Sequence, residues 1–395
     1  VSNTTAGAVT KPKPKAPNVA KSAAEVGGMA ALIKAAKKEG QLNVIALPHD
    51  WAIEGPFNSG GVGGSMGRLP SPGIGWYRKT LDLPEADQGK AIYLDFDGAQ
   101  GPYDTWSYSG DAAPAGFSNS TIRDIWMRVA EDFLPFNLNV TTDAKVYDNA
   151  TRGRRIRCII TPTNWYKSGG VAYIGSYNWG GDPVCWASNY TGDSAVTVIS
   201  HEVGHTLGLY HHGYNGAEYY GGHGSGETSW SPIMGAAWAD FFPPFIEEEV
   251  TQWSKGEYPD ASNQEDDLEI ITTQNGFGYR ADDKGNSQAS ATTLVANKGV
   301  IDDSGIIGQS TDVDWFSFTT SGGQTDISVN VLDVESDNDP QRGANLAVDL
   351  ELYDASGKVV TTSSPATTLD AAIKLDLPEG NYFLKVAGGA RGTLA

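Results

Sequence analysis

The stretch HEVGHTLGLYH, residues 201–211, sets three histidines and one glutamate at fixed intervals. His201 and His205 are four residues apart, so one face of a helix presents both imidazoles toward a common point. Gly208 can adopt the left-handed conformation that ends a helix, after which the chain turns back and brings His211 to the same point. Zn²⁺ favours nitrogen donors of this kind. We therefore predict a zinc site whose ligands are His201, His205 and His211, with the fourth position left for water.

The carboxylate of Glu202 follows the first predicted ligand directly and can reach a water molecule held at the zinc site. A carboxylate in that place is a natural general base. Five of the six histidines fall between positions 201 and 223, which makes chance clustering a poor explanation. His212 and His223 remain rivals of His211 for the third ligand position, because the loop after the helix can shift its register.

The motif H-E-x-x-H-x-x-G-x-x-H, followed by SPIMG at 231–235, resembles the metzincin clan of zinc endopeptidases. In that clan a methionine-containing turn lies beneath the zinc site, and Met234 occupies the matching place. The resemblance assigns Met234 a packing role, not a ligand role. Some metzincins carry a tyrosine ligand two residues after this methionine, and Ala236 stands there in this chain.

A wider resemblance to bacterial secreted peptidases covers residues 92–258, through the stretches YLDFDG, IWMRVAEDFLPFNLNVTT, GGVAYIGSYNW and VTQWSKGEY. Apolar spacing predicts helices over 118–136 and 194–209, strands over 154–162 and 169–179, and a closing helix over 246–256. This order indicates a mixed α/β catalytic domain. The resemblance makes the second strand the edge that binds an extended substrate, through Gly170, Val171, Ala172 and Tyr173. An ordinary sheet strand is the alternative.

Residues 281–395 have a different sequence pattern, in which apolar residues alternate in short runs separated by turn signals such as DASGK at 354–358. This pattern predicts an antiparallel β-sandwich. The stretches DVDWFSFTTSGG, LELYDASGKVV and LPEGNYFLKV resemble the bacterial pre-peptidase C-terminal domain. The acidic, polar segment 259–280 is predicted to be a linker. The predicted sandwich offers no ligand or base to the zinc helix, so we expect hydrolysis of a short peptide to survive its removal.

The first ninety residues divide into a predicted flexible tail, 1–25, and a mosaic segment of uncertain fold, 26–91. Within them, LPHDWAIEGPF and GRLPSPGIGWYRKTLDLPEADQGKAIYLDFDG resemble the N-terminal sugar-binding segment of β-galactosidases, over about residues 47–98. The barrel that carries the catalytic carboxylates of that family has no room in this chain. Glycosidase activity therefore does not follow from the resemblance.

The formal charge of −20 over 395 residues disfavours nucleic acid and anionic membranes as partners. No window approaches the roughly 18 apolar residues of a membrane span. The only cysteines, Cys158 and Cys185, permit one disulfide or two buried thiols, and the sequence does not decide between them.

The sequence thus predicts an α+β, metzincin-like zinc peptidase domain followed by a β-sandwich. The predicted function is zinc-dependent endopeptidase cleavage of protein or peptide substrates by zinc-activated water, with Glu202 as general base. Ca²⁺ is a further candidate cofactor, because the chain is rich in aspartate. We expect a monomer that is secreted, although no signal peptide is visible in this chain. The alternative is a carbohydrate-binding or adhesion protein whose zinc site is structural, closed by a fourth ligand such as His223.

Overall fold

The computed structural model describes residues 89–189, 192–236, 250–296, 299–331 and 344–389. All of them belong to one compact unit, Leu83–Ala395. The predicted tail and almost all of the predicted mosaic segment lie outside the described residues, and so does most of the stretch that resembles β-galactosidases.

The first region is a mixed α/β structure built around a five-stranded sheet. Its order along the sheet is β2-β1-β3-β5-β4, with every neighbouring pair parallel except β5 and β4. The elements in chain order are β1 (Ala91–Asp95), α1 (Asn119–Asp132), β2 (Asn139–Thr141), α2 (Ala144–Asn149), β3 (Arg155–Thr161), β4 (Gly170–Val171), β5 (Val184–Ser188), α3 (Gly192–Thr206), β6 (Trp230–Pro232), β7 (Val250–Gln252) and α4 (Asp267–Gln274).

Burial explains why these segments take these forms. β1 and β5 are buried at every position, as expected for inner strands of a parallel sheet that is covered by helices. α1 begins at Ser118, whose hydroxyl accepts a hydrogen bond from the backbone N–H of Thr121 at 3.2 Å. Its residues Ile125 and Val129, four apart, are buried in the core. α3 packs against α1, β3 and β5, which fixes the helix that carries the first two histidines.

Three sequence predictions in this region differ from the structure: a strand, a helix and a linker. The strand predicted over 169–179 is only two residues long, because the chain continues into a 3₁₀ turn at Ser176–Asn178. Within the segment 246–256, predicted as a helix, the described residues contain strand β7, which pairs with β6 in parallel. Pairing across the sheet overrides local helical preference there. Residues 246–249 lie outside the described residues.

The segment predicted as a linker, 259–280, contains helix α4, which is part of the first region's core. Asp266 caps the helix by accepting a hydrogen bond from the backbone N–H of Glu269 at 3.0 Å. Ile271 and Phe277 are buried in the same apolar cluster as β1 and α3. Acidic residues of this segment, among them Asp267 and Glu269, therefore belong to a packed helix. Its few apolar positions were too sparse for the helix to be recognised in the sequence.

Both cysteines are buried free thiols. Cys158 on β3 lies in register with Cys185 on the neighbouring strand β5, inside the apolar core. Burial raises the pKa of the Cys185 thiol well above its usual value. Of the two alternatives left open by the sequence, the structure has the pair of buried thiols.

The second region is formed from strands, as its alternating pattern predicts. They are β8 (Thr292–Thr293), β9 (Val313–Thr320), β10 (Gly323–Val329), β11 (Val348–Asp354), β12 (Val359–Ser363), β13 (Ala371–Leu377) and β14 (Gly380–Gly388). One sheet has the order β12-β11-β14-β9-β8, and a second contains β10 and β13. All pairs are antiparallel except β8 with β9. Side chains from both sheets, among them Leu350 and Ile373, form one apolar cluster.

The helices within the described ranges are too short or too polar to cross a lipid bilayer.

Candidate metal centre

Three histidines meet at the end of α3. His201 and His205 project from the helix, His211 comes from the loop that follows, and one nitrogen of each lies within 4.8 Å of the others. The Nε2 atoms of His205 and His211 are 2.9 Å apart. His201 is 2% exposed, while His211 is only partly buried, so the cluster has one side toward solvent.

The second nitrogen of each ring has an oxygen partner. Nδ1 of His201 donates to the carbonyl oxygen of Ile233 at 2.9 Å, and Nδ1 of His205 donates to that of Leu209 at 2.8 Å. Nδ1 of His211 donates to the Glu218 carboxylate at 2.9 Å. A neutral imidazole that donates through Nδ1 carries its lone pair on Nε2. The partners therefore turn the three lone pairs toward one point, as in known metal sites.

Burial keeps these rings neutral. It lowers the pKa of His205 to about 4 and also lowers the pKa of His201 and His211, although the Glu218 carboxylate opposes the shift at His211. Two neutral Nε2 atoms that face each other at 2.9 Å repel through their lone pairs unless a cation lies between them. The donor set, the tautomers and the charge state thus fit a metal ion that prefers imidazole nitrogen, with zinc as the ion that three histidines suggest.

The loop that delivers His211 starts at the glycine singled out in the sequence. Gly208 has φ +107°, in the left-handed region. Its N–H donates to the carbonyl oxygen of His205 at 2.9 Å, and the N–H of Leu209 donates to that of Gly204 at 3.2 Å. This pair of bonds is a Schellman motif. The prediction that Gly208 ends the helix is confirmed, and the motif turns the chain so that His211 reaches the cluster.

Glu202 is buried beside the histidine cluster. It is 7% exposed, and within the described part of the chain its Oε2 atom has no hydrogen-bond partner. Burial raises its pKa to about 8. Its side chain lies against the Cα atom of Gly170 in β4, where an added Cβ would overlap the carboxylate. The glycine in β4 therefore makes room for Glu202.

Met234 lies directly beneath α3 and is fully buried. A Cβ on Gly204 would lie 2.5 Å from its Sδ atom, so the sulfur packs against the helix backbone between the two histidines. The carbonyl oxygen of Met234 accepts a hydrogen bond from the N–H of His212 at 2.8 Å. Met234 thus packs beneath the helix that carries His201 and His205, and it is not part of the histidine cluster.

The two rival histidines face other partners. His212 is completely buried, and its Nε2 pairs with Asp267 of α4 at 3.1 Å. Nδ1 of His223 is hydrogen-bonded to the hydroxyl of Tyr220 at 2.9 Å. The metal-capable group contains neither of them.

Two residues beside the cluster were not predicted from the sequence. Glu218 is the carboxylate that orients His211, and the ring of Tyr219 lies 4.3 Å from the imidazole of His211, measured between centroids. Neither belongs to the recognised motif, since both follow His211 in a loop whose path depends on tertiary contacts. An acidic residue shortly after a metal-binding histidine is the signal that points to Glu218.

The four residues predicted to bind substrate lie at the edge of the sheet. Gly170 and Val171 pair with Ala187 and Trp186 of β5, and β4 has no second neighbouring strand among the described residues. Ala172 and Tyr173 follow the strand. Tyr173 is 39% exposed and its ring lies 4.3 Å from that of Trp106.

A second group of potential metal ligands lies in the second region. Oxygen atoms of Asp282, Asp312 and Asp314 lie within 4.8 Å of one another. Asp314 is 2% exposed, and among the described residues its Oδ1 has no hydrogen-bond partner. Burial, together with the charges of Asp283, Asp312 and Asp282, raises the pKa of Asp314 to about 7.

Residues 131–212 match the family described as "Metallo-peptidase family M12B Reprolysin-like". The match spans 82 of the 395 residues and contains the whole stretch 201–211. Together with the histidine cluster, it supports a metallopeptidase, a class of hydrolase whose substrates are proteins or peptides.

Two curated relatives are similar to this chain, and in each case the match covers only a small part of the relative's length. The β-galactosidase BoGH2A of Bacteroides ovatus is 55% identical over 58 residues, which is 14% of this chain and 6% of that protein. A putative β-glucuronidase of Formosa agariphila is 26% identical over 128 residues, 32% of this chain and 11% of that protein. Both relatives are described as glycosidases, and this chain spans only a small part of either one.

The solved structure described as "Structure of a chaperone-substrate complex" is similar over 47% of this chain and 33% of that chain, with 17% identity and a TM-score of 0.24. A likeness at this level supports no conclusion about fold or function.

Proposed function

We propose that the protein is a zinc-dependent endopeptidase of the metzincin type. The observation that carries the proposal is the convergence of His201, His205 and His211, each with its Nδ1 atom bonded to an oxygen and its Nε2 lone pair turned inward. Such preorganisation lowers the cost of binding a metal that prefers imidazole. A zinc ion held by these three histidines would supply Lewis acidity for polarising a peptide carbonyl group and for activating water.

Glu202 is the general base in this proposal, accepting the proton from the attacking water and passing it to the leaving amine. Its unpartnered Oε2 atom is available for that task. Without a cation nearby, burial holds the pKa of Glu202 at about 8, which favours the protonated acid at neutral pH. A divalent cation held by the three histidines would lower this pKa, so Glu202 would be the carboxylate that a general base must be.

Strand β4 is the proposed binding edge for an extended substrate. Its outer side has no partner strand in the described sheet, so its backbone groups can add one more antiparallel strand. Gly170 also borders the Glu202 side chain, which brings a peptide bound along β4 next to the proposed base. The exposed ring of Tyr173 extends the same surface.

The second region is proposed to be a β-sandwich of the bacterial pre-peptidase C-terminal kind, and the protein to be a secreted monomer. The shared apolar cluster of its two sheets supports the sandwich. We further propose that Asp282, Asp312 and Asp314 bind Ca²⁺, which prefers carboxylate oxygen. The support is Asp314, a buried carboxylate with one oxygen left without a partner in the described chain.

A carbohydrate-binding or adhesion protein with a structural zinc site is the alternative. A structural site needs a fourth protein ligand. The metal-capable group holds only three histidines among the residues the structure describes, and His223 faces Tyr220. This favours a catalytic site with an open position.

Casein hydrolysis by the full chain, with and without a zinc chelator, tests the proposal. We expect hydrolysis that stops on chelation and returns when zinc is added back. Elemental analysis should give about one zinc per chain at this site, and His205→Ala should lose it. A protein that holds stoichiometric zinc yet cleaves neither casein nor gelatin has a structural site, and retention of full zinc by His205→Ala refutes the ligand assignment.

A further inference from the structure

Asp132, the last residue of α1, joins three parts of the molecule through one buried carboxylate. It is 4% exposed, in the core of the first region. Its Oδ2 atom accepts a hydrogen bond from the hydroxyl of Ser200 in α3. Its Oδ1 atom accepts a hydrogen bond from Nδ2 of Asn345 at 2.7 Å. Asn345 belongs to the second region, just before β11.

The first path from Asn345 to the histidine cluster runs through this carboxylate. Ser200 is fully buried and immediately precedes His201 on α3. Asn345 therefore holds Asp132, and Asp132 holds the helix one residue from a proposed zinc ligand.

A second path from Asn345 reaches the same histidine through Gln252 and Ile233. The backbone carbonyl oxygen of Asn345 accepts a hydrogen bond from Nε2 of Gln252 at 2.6 Å. The carbonyl oxygen of Gln252 accepts from the N–H of Ile233 at 2.8 Å, and the carbonyl oxygen of Ile233 accepts from Nδ1 of His201 at 2.9 Å. One residue of the second region is thus linked both to the helix before His201 and to the turn that orients its ring.

Apolar contacts hold Asn345 in this place. Ala344, Ala347 and Leu369 of the second region are buried in one cluster with Val250 of β7. Trp230 of β6 packs against the same cluster, and its Nε1 donates to the side-chain oxygen of Gln252 at 2.9 Å. The contact between the two regions is therefore a packed interface directly behind the metal centre.

We infer that Asn345 is a positioning residue for the metal centre, through which the second region holds α3 and the Met234 turn in the geometry that His201 needs. This inference rests on the proposed function and deepens it. It replaces the sequence expectation that the second region is dispensable for hydrolysis. Loss of the Asn345 side chain leaves a buried carboxylate oxygen unpaired, and the elements around it shift to find a new partner. Small displacements of catalytic groups have large effects on rate.

The test compares Asn345→Ala with Asn381→Ala in the full chain. Asn381 lies in the same region on β14, where its exposed side chain only accepts a hydrogen bond from Thr319. For Asn345→Ala we expect kcat to fall about tenfold with KM changed less than twofold. We also expect zinc to dissociate into excess chelator about tenfold faster, and the visible spectrum of the Co²⁺-substituted protein to shift. Asn381→Ala should match the parent in all three measurements.

A double substitution provides the rescue. Asp132→Asn together with Asn345→Asp exchanges amide and carboxylate, so the Ser200 hydroxyl still finds an acceptor and the Asn345–Asp132 hydrogen bond is restored in reverse. We expect this double variant to recover at least half of the lost kcat and the parent cobalt spectrum, whereas each single substitution alone should not. If Asn345→Ala does not fold, Asn345→Ser is measured in its place, since its shorter side chain cannot reach Asp132.

The outcomes separate this inference from the proposed function. A lower melting temperature with parent kcat, parent zinc release and an unchanged cobalt spectrum overturns the positioning role of Asn345. A parent protein that cleaves no peptide overturns the proposed function, while the zinc-release and cobalt measurements still decide whether Asn345 positions the metal centre.

Discussion

The described part of the chain has two clusters of potential metal ligands, and they are built in opposite ways. His201, His205 and His211 are neutral rings, each held by an oxygen partner at Nδ1 and turned toward one point. Asp282, Asp312 and Asp314 have carboxylate oxygens within 4.8 Å of one another, and burial together with the charges of neighbouring acids raises the pKa of Asp314 to about 7. The first cluster is oriented before any metal arrives, whereas the second is strained without one.

This difference indicates separate roles for the two clusters. A site preorganised by hydrogen bonds, with a buried carboxylate and a sheet edge beside it, is suited to catalysis. A site that gathers repelling carboxylates gains stability when a cation neutralises them. The comparison predicts that substitutions at the histidine cluster change catalytic rate most, while those at the aspartate cluster change thermal stability.

The largest effect should come from Glu202→Gln. We expect zinc to remain bound at the parent level while turnover of casein falls at least about a hundredfold, because general-base catalysis contributes on that order. Glu269→Gln is the matched control, since Glu269 is an exposed glutamate on α4. Parent turnover in a zinc-loaded Glu202→Gln protein would leave the histidine cluster without a catalytic role, and the contrast with the aspartate cluster would disappear.

The next largest effect should come from Gly170→Ala. The added Cβ would overlap the Glu202 carboxylate and force it to move, so we expect kcat to fall between about tenfold and a hundredfold. Gly180→Ala is the control, because a Cβ at Gly180 would meet no atom within 4 Å. Measuring kcat and zinc content for both variants separates misplacement of the base from loss of the metal. Equal kcat for both would show that Glu202 tolerates the displacement.

A smaller effect is expected for Glu218→Ala, which removes the oxygen partner of His211. We expect zinc affinity to fall about tenfold, at the low end for such partners, because the Glu218 side chain is 68% exposed and water can replace it. Competition with a coloured chelator measures the affinity. Unchanged affinity would show that the loop backbone alone orients His211, which would weaken the distinction between an oriented and a strained cluster.

The smallest effect concerns the aspartate cluster and is a shift in melting temperature. The folded-state pKa of Asp314 is raised from its ordinary 3.8 to about 7, so the calcium-free protein should lose stability as pH rises between these values. Calcium should therefore raise the melting temperature by about 5 °C at pH 8 and much less at pH 5.

Asp314→Asn sharpens this last test. The substitution removes the charge that ionises with rising pH, so the calcium-free variant should melt higher than the parent at pH 8 and respond little to calcium. Magnesium is the control ion, since it requires a tighter octahedral site. An equal response of parent and variant to calcium would mean that the ion binds elsewhere.

Much of the first region could be predicted because its signals are local. The apolar spacing of Ile125 and Val129 marks α1, and the left-handed glycine at 208 marks the end of α3. The predictions failed where long-range pairing decides the structure. β7 forms a strand because it pairs with β6, and α4 is a packed helix because Ile271 reaches the common core. Neither the pairing with β6 nor the contact of Ile271 with the core can be predicted from the residues next to them in the sequence.

The chemistry of the candidate site was predictable from local spacing, because His201, His205 and Gly208 along one helix fix where two imidazoles point and where the chain turns. Long-range contacts select the histidine that completes the cluster, since His211 and His212 are adjacent in sequence and are separated by their partners Glu218 and Asp267. The tertiary structure alone also brings Asn345 against Asp132, 213 residues apart. Contacts across such distances depend on how the two regions pack, and no local pattern encodes them.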